Sequence, residues 1–221
     1  MGNQIIISIS REYGSEGHTI AKQIAKDLGL PFYDRNMLDE IAKEKGFDPA
    51  VFAGVDEKPR NKLLSRRVKG YSNATEEYDE KPLNRFLARN VSGFSSSLEN
   101  NLAQMQFEFL RKKAASGESF VVLGRCSETI LKEYDSLVSI FVTGNKNRKL
   151  KHVMEKFSLS ETAAAAKITK HDAYRRRYHN HYSDFKWGDS RNYDVCINSS
   201  RIGVEGTAKL LKKFVESVKK Y

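Results

Sequence analysis

The first apolar run, Ile5-Ile6-Ile7-Ser8-Ile9, is almost unbroken, the pattern of a strand covered on both faces. Beyond a glycine-bearing turn, Ile20, Ala21, Ile24, Ala25 and Leu28 recur at helical spacing, and Gly29 follows as a helix stop. Pro31-Phe32-Tyr33 reads as a short second strand ending at Asp34. Residues 120–123, 137–142 and 193–197 predict three further strands, each separated from the next by helical patterning. Val204, Ala208, Leu211, Val215 and Val218 predict a C-terminal amphipathic helix. Strand and helix in alternation predict an α/β fold, a five-stranded parallel sheet with helices on both faces.

Two stretches break the rhythm. Residues 48–100 are polar, with Lys/Arg and Ser/Asn clusters, and predict a mostly helical insertion with flexible connections. Residues 160–192 open on Ser160-Glu161-Thr162-Ala163, a helix-cap pattern, and run into Arg175-Arg176-Arg177-Tyr178-His179-Asn180-His181-Tyr182. The expected organisation is one domain, with its core at about 1–47 and 106–221 and the insertion at about 48–105.

Composition narrows the class. The 221 residues are 39% hydrophobic, mean hydropathy is −0.59, and no apolar run approaches the roughly 20 residues that cross a bilayer. The apolar segment at 5–9 is too short for a signal-peptide core, and Ile6 stands where a myristoylation start needs Ser or Thr. The expectation is a cytoplasmic protein with no membrane partner. Cys126 and Cys196 have no metal-ligand spacing and are expected to be small buried residues. The formal charge of +10 suits either nucleic acid or polyphosphate ligands. Lys and Arg recur at 58–69, 146–156, 167–177 and 209–220, so no single basic tract decides between them.

The chemistry begins in the turn after the first strand. A phosphate loop of the form G-x-x-x-x-G-K-[ST] uses converging backbone N–H groups and the helix N-terminus behind them; its Lys reaches the terminal phosphates and its hydroxyl ligates Mg²⁺. Here the segment is Glu12-Tyr13-Gly14-Ser15-Glu16-Gly17-His18-Thr19. Gly17 and Thr19 match the second glycine and the hydroxyl; Glu12 replaces the first glycine and His18 the lysine.

Several segments in order carry a resemblance. Ile9-Ser10-Arg11-Glu12-Tyr13-Gly14-Ser15-Glu16-Gly17-His18, then Leu30-Pro31-Phe32-Tyr33-Asp34-Arg35, is similar to the bacterial cytidylate kinase-like family. Gly124-Arg125-Cys126, the series Ile168, Asp172, Arg175, Tyr178, then Lys186-Trp187-Gly188 and Tyr193-Asp194-Val195-Cys196-Ile197-Asn198 resemble later segments of that family. Glu16 stands where a third glycine is usual, and Ser127-Glu128 where Ala-Asp is usual. The resemblance implies a three-layer P-loop fold with a helical acceptor-side insertion and a lid at about 160–192. It implies ATP- and Mg²⁺-dependent phosphoryl transfer to a nucleoside monophosphate such as CMP or dCMP, or to another small phosphate acceptor.

On that reading Gly14, Ser15, Gly17, His18 and Thr19 cradle the donor phosphates, with Thr19 on Mg²⁺. Arg11, Arg125, Asp172, Arg175 and Arg176 are the candidate catalytic residues, Arg11 supplying charge that a histidine does not guarantee at neutral pH. An ion pair of Arg11 with Glu12 or Glu16 is an equal alternative. Asp34, Arg35, Gln106 and Arg125 are candidates to face the acceptor, with a helix N-cap the alternative for Asp34. Asp172, one turn before Arg175, is placed to orient it. Two other readings stay open: a nucleotide-binding module without chemistry, and a nucleic-acid surface at 167–182.

Overall fold

The computed structural model describes residues 4–34, 36–46 and 98–218. The chain divides into two compact units, residues 1–34 with 107–221, and residues 35–106.

In the first unit, β1 (Ile6–Arg11) leads through the turn into α1 (Gly17–Leu28), and β2 (Phe32–Tyr33) follows. After the second unit come β3 (Phe120–Leu123), β4 (Leu137–Thr143) and β5 (Val195–Asn198). All are parallel in the order β2-β3-β1-β4-β5. Chain order reverses about β1, so the turn leaving β1 lies at the switch point where open parallel sheets bind ligands. This is a three-layer α/β P-loop fold.

β1 and Ile5 before it divide their residues between two environments. Ile5, Ile7 and Ile9 join Ile20, Ile24 and Ala25 of α1 and Ala208, Leu211 and Val215 of the C-terminal helix in one apolar core. That core fixes α1 beneath the sheet, so the position of its N-terminus follows from ordinary burial of aliphatic side chains. Gly29, left-handed at φ 65°, ends α1, and its N–H bonds the carbonyls of Ala25 and Lys26. The alternate residues Ser8 and Ser10 are also buried, on the opposite face.

The described helices after α1 are α2 (Met37–Glu44), α3 (Leu98–Ala115), α4 (Ser127–Ile130), α5 (Lys146–Phe157), α6 (Glu161–Tyr182) and α7 (Gly203–Val218). Ser160 caps α6 as its sequence predicts, its hydroxyl accepting from the Ala163 N–H. In the second unit the described buried apolar residues include Met37, Leu38 and Ile41 of α2 and Ala103 and Met105 of α3. Most of the insertion expected at 48–105 lies outside the described residues.

Two expectations need correction. Cys196 is exposed, because it sits on edge strand β5, whose side chains alternate between partly buried and exposed. β5 also begins two residues later than its apolar run: the Asp194 carboxylate takes the N–H and hydroxyl of Ser139 at 2.7 and 2.8 Å, and strand pairing starts only at Ile140 with Val195. Among the described residues no helix is long and apolar enough to cross a membrane.

Candidate phosphate-binding site

The loop from Glu12 to Gly17 is shaped by two left-handed residues, Gly14 at φ 82° and Glu16 at φ 59°. Glu16 explains why a glycine suits its position, since an L-residue there costs about 1 kcal/mol. Left-handed Glu16 leads into Gly17 at the N-terminus of α1, and the Gly17 N–H donates to Ser15 Oγ at 3.4 Å. Gly17 has a separate requirement: a Cβ there would lie 2.6 Å from the Cβ of Arg11. The loop is braced from within by Ser15, whose hydroxyl donates to the Glu12 carbonyl at 2.8 Å, and from behind by the Ser199 hydroxyl, 2.7 Å from the Ser15 carbonyl.

Glu12, the residue in the first glycine's place, is an anchor. Its Oε2 accepts from Lys149 Nζ at 2.8 Å, from the Gly144 N–H at 3.2 Å and from the Thr143 hydroxyl. Burial acts to raise its carboxyl, but these donors prevail and hold it below the ordinary carboxylate range. The lysine is thus engaged by the loop's own carboxylate. Neither Lys149 nor Thr143 is suggested by spacing, since they lie far away in sequence and meet Glu12 only through the fold.

His18 turns toward β2. Its Nε2 lies 2.9 Å from Asp34 Oδ2, and its ring meets Phe32 edge-on at 5.8 Å. α2 begins at Met37, with Asn36 at its cap position. Glu16 faces α5, its Oε1 3.6 Å from His152 Nδ1. Glu12 is held by Lys149, and Glu16 faces His152.

Helix α6, in the segment expected to form a lid, packs on the loop. Asp172 Oδ1 accepts from the Tyr13 N–H at 2.7 Å, His171 stacks on the Tyr13 ring at 4.3 Å, and Arg175 donates to the Arg11 carbonyl at 3.2 Å. Asp172 thus holds the loop as well as lying one turn from Arg175. Burial, outweighing the Tyr13 N–H and the charges of Lys149 and Arg175, raises its carboxyl above the ordinary value. Arg175 and Arg176 part company: Arg175 lies over Tyr13, whereas Arg176 lies over Trp187 at 5.6 Å. An open cleft of about 110 Å³ is left at the loop, lined by residues that include Arg11, His18, Thr19, Lys156 and Arg175.

At the carboxyl end of β3, Gly124, Arg125 and Cys126 are all left-handed, with φ of 76°, 63° and 53°. Two consecutive non-glycine residues in that region are unusual, and each costs of the order of 1 kcal/mol or more. The turn delivers Arg125 to the sheet's carboxyl edge. It then sets Ser127 and Glu128 against β1, where Ser127 Oγ is 2.6 Å from Ser8 Oγ and Glu128 Oε2 accepts from Ser8 and Ser10 at 3.3 and 3.4 Å. Arg35 is outside the described residues, and Gln106 belongs to the second unit, where it is buried on α3.

A second cleft, about 460 Å³, opens between the loops after β4 and β5, lined by residues including Asn145, Asn147, Arg148, Asn198 and Arg201. Among the described residues no cluster of three or more His, Cys, Asp or Glu has the arrangement of a metal site.

A parallel α/β sheet with a glycine-bearing turn at its switch point, basic side chains around that turn and α6 packed on it is a kinase-like P-loop fold. The chain belongs to the cytidylate kinase-like family, whose model matches residues 6–201. It is similar over 97% of its length, and 99% of the other chain's, to the crystal structure of an uncharacterized protein from Eubacterium ventriosum, with 32% identity and a TM-score of 0.68. More distant likenesses include shikimate kinase from Bacteroides thetaiotaomicron, at 11% identity, 96% and 98% coverage and a TM-score of 0.47. Dephospho-CoA kinase from Campylobacter jejuni is another, at 15% identity, 99% coverage of both chains and a TM-score of 0.44. Among curated proteins none matches the sequence.

Proposed function

We propose that this protein transfers a phosphoryl group from ATP to a small phosphate-bearing acceptor, with CMP or dCMP the first candidates because the family's description names cytidylate. The observation that carries the reading is the loop itself: left-handed Glu16 and helical Gly17 at the start of α1, in a cleft shared with Arg11, Thr19 and Arg175. Phosphoryl transfer needs positioning and charge neutralisation more than covalent chemistry, and the cleft is assembled from groups that do both.

Gly14, Ser15, Gly17, His18 and Thr19 cradle the donor phosphates at the N-terminus of α1. Thr19 is the hydroxyl that would ligate Mg²⁺ carried on those phosphates, the ion supplying further charge neutralisation when bound. The cleft at Asn145, Asn198 and Arg201 accepts the rest of the donor: it borders the same sheet edge and offers side-chain amides to a base. Asp34 and Arg125, after β2 and β3, stand at the edge where an acceptor is presented. Arg175 supplies positive charge from the lid.

The His in the lysine position supports a second reading, a nucleotide-binding module without turnover. The nucleic-acid reading has less support, because Arg175, Arg176 and Arg177 all lie over aromatic rings of the chain itself. A coupled ADP-release assay across nucleoside monophosphates and other phosphate acceptors decides between the first two. Turnover is expected with at least one acceptor; ATP binding by calorimetry without turnover establishes the second, and absence of any nucleotide binding removes both.

A further inference from the structure

A phosphate loop without its lysine leaves a specific deficit. The lysine places one positive charge where the β- and γ-phosphates meet the acceptor, and that charge must come from elsewhere if the loop supports transfer.

Position separates the basic groups near the cleft. His18, in the lysine position, is drawn to Asp34 on the β2 side. Lys149 is engaged by Glu12 and is nearly buried, with 11% of its side chain exposed. His152 faces Glu16. Lys156 lies over the ring of Phe157, beyond the loop on α5. Arg175 reaches the loop from α6, donating to the Arg11 carbonyl.

Arg11 follows a different path. Its Cβ and Cγ run directly over Gly17, at 2.6 and 3.0 Å from where a Cβ on that glycine would stand. Its Nη1 ends 2.6 Å from the corresponding point on Gly124. These landmarks trace the side chain from the last residue of β1, across the start of α1, to the carboxyl end of β3. The guanidinium is thereby placed between the start of α1 and the carboxyl end of β3.

We propose that Arg11 takes the place of the missing loop lysine, its guanidinium bridging the donor's terminal phosphate and the acceptor across the gap between Gly17 and Gly124. The proposal rests on the phosphoryl-transfer reading above. In that reaction an acceptor oxygen forms the new bond to the γ-phosphorus while the bond to the β,γ-bridging oxygen breaks, its electron pair leaving on ADP. Charge on the three remaining γ-oxygens lies within reach of a planar fork of N–H donors, which meets two oxygens at once where an ammonium meets them as a point. A cation based on β1 also has a rigid strand beneath it, so it is held in place independently of lid position.

The test is a double-mutant cycle between positions 11 and 18. ATP and ADP binding to the full chain is measured by calorimetry with Mg²⁺ present, and folding is checked by circular dichroism, for wild type, Arg11→Gln, Arg11→Lys, His18→Lys and Arg11→Gln/His18→Lys. We expect Arg11→Gln to weaken ATP binding by about 10- to 100-fold, with a smaller effect on ADP. Arg11→Lys should keep part of the affinity, and lysine at position 18 should restore Arg11→Gln far more than it improves wild type. Unchanged ATP binding in folded Arg11→Gln overturns the proposal, as does an equal effect of His18→Lys in both backgrounds. If Arg11→Gln does not fold, the comparison passes to Arg11→Lys with and without His18→Lys, and additivity there overturns it equally. Wild type that binds no nucleotide overturns the phosphoryl-transfer reading and this proposal with it; wild type that binds while the cycle is additive overturns this proposal alone.

Discussion

His179 Nε2 lies 2.7 Å from Glu128 Oε1, and both side chains are almost completely buried. The approach is a close polar pairing without the alignment of a hydrogen bond, and Oε1 has no hydrogen-bond partner among the described residues. The pairing joins the end of α6 to the turn after β3, while the other oxygen of Glu128 takes the two serines of β1. Removing one partner leaves the other buried with an unmet polar group. Glu128→Ala and His179→Ala should each lose about 3–5 kcal/mol in urea unfolding, and the double variant should lose clearly less than their sum. Additive losses would show that the two groups do not stabilise each other.

Glu12 gives a pH signature. Its carboxyl titrates below the ordinary value, so the stability it confers is complete above that value and is lost as pH falls through the lowered one. At neutral pH Glu12→Gln should lose about 2 kcal/mol, because Lys149 then faces a neutral amide. Urea midpoints of wild type and variant should converge as the solution is acidified; a gap independent of pH would count against the ion pair.

Asp172 has the opposite sign. Burial raises its carboxyl, so the charged form disfavours folding at neutral pH, and that disadvantage disappears as pH falls below the ordinary Asp value. Asp172→Asn keeps an oxygen for the Tyr13 N–H. It should be as stable as wild type or up to about 1 kcal/mol more stable near neutrality, with the difference shrinking in acid. A large loss of stability in Asp172→Asn at neutral pH would refute this.

Glu16→Gly separates loop geometry from loop charge. Relief of a left-handed glutamate is worth about 1 kcal/mol, of which the flexibility of glycine in the unfolded chain takes back half or more. The pairing of Glu16 with His152 is partly exposed, so its removal costs little. Stability should change little. Taking a negative charge out of the loop should nevertheless tighten ADP binding several-fold by calorimetry; weaker binding would mean that Glu16 orients the loop through His152.

Much of the frame is legible in the chain's periodicity. The strand at 120–123 coincides with its apolar run, and α1 begins and ends at the glycines that mark it. The loop is legible too, because strand, glycine turn and amphipathic helix are local patterns. Its engagement is not. Glu12 reaches Thr143 and Lys149 from 131 and 137 positions away, and no spacing rule connects them. Arg125 and Cys126 adopt left-handed conformations without the glycine or asparagine that announces one. Glu128 does stand out as a departure from the family pattern, but its partner on the lid helix becomes visible only when α6 is folded over the sheet.

Gly14 carries a consequence for how this chain can change over generations. A side chain there would press on the Lys149 carbonyl at 3.0 Å and on Val153 at 3.1 Å, one turn apart on α5. Drift at position 14 is therefore held in check by a helix that begins more than a hundred residues later, quite apart from any nucleotide. Lineages without phosphoryl-transfer chemistry should still keep this glycine for as long as they keep that helix in place, so its retention in a relative testifies to shared packing and is silent about activity.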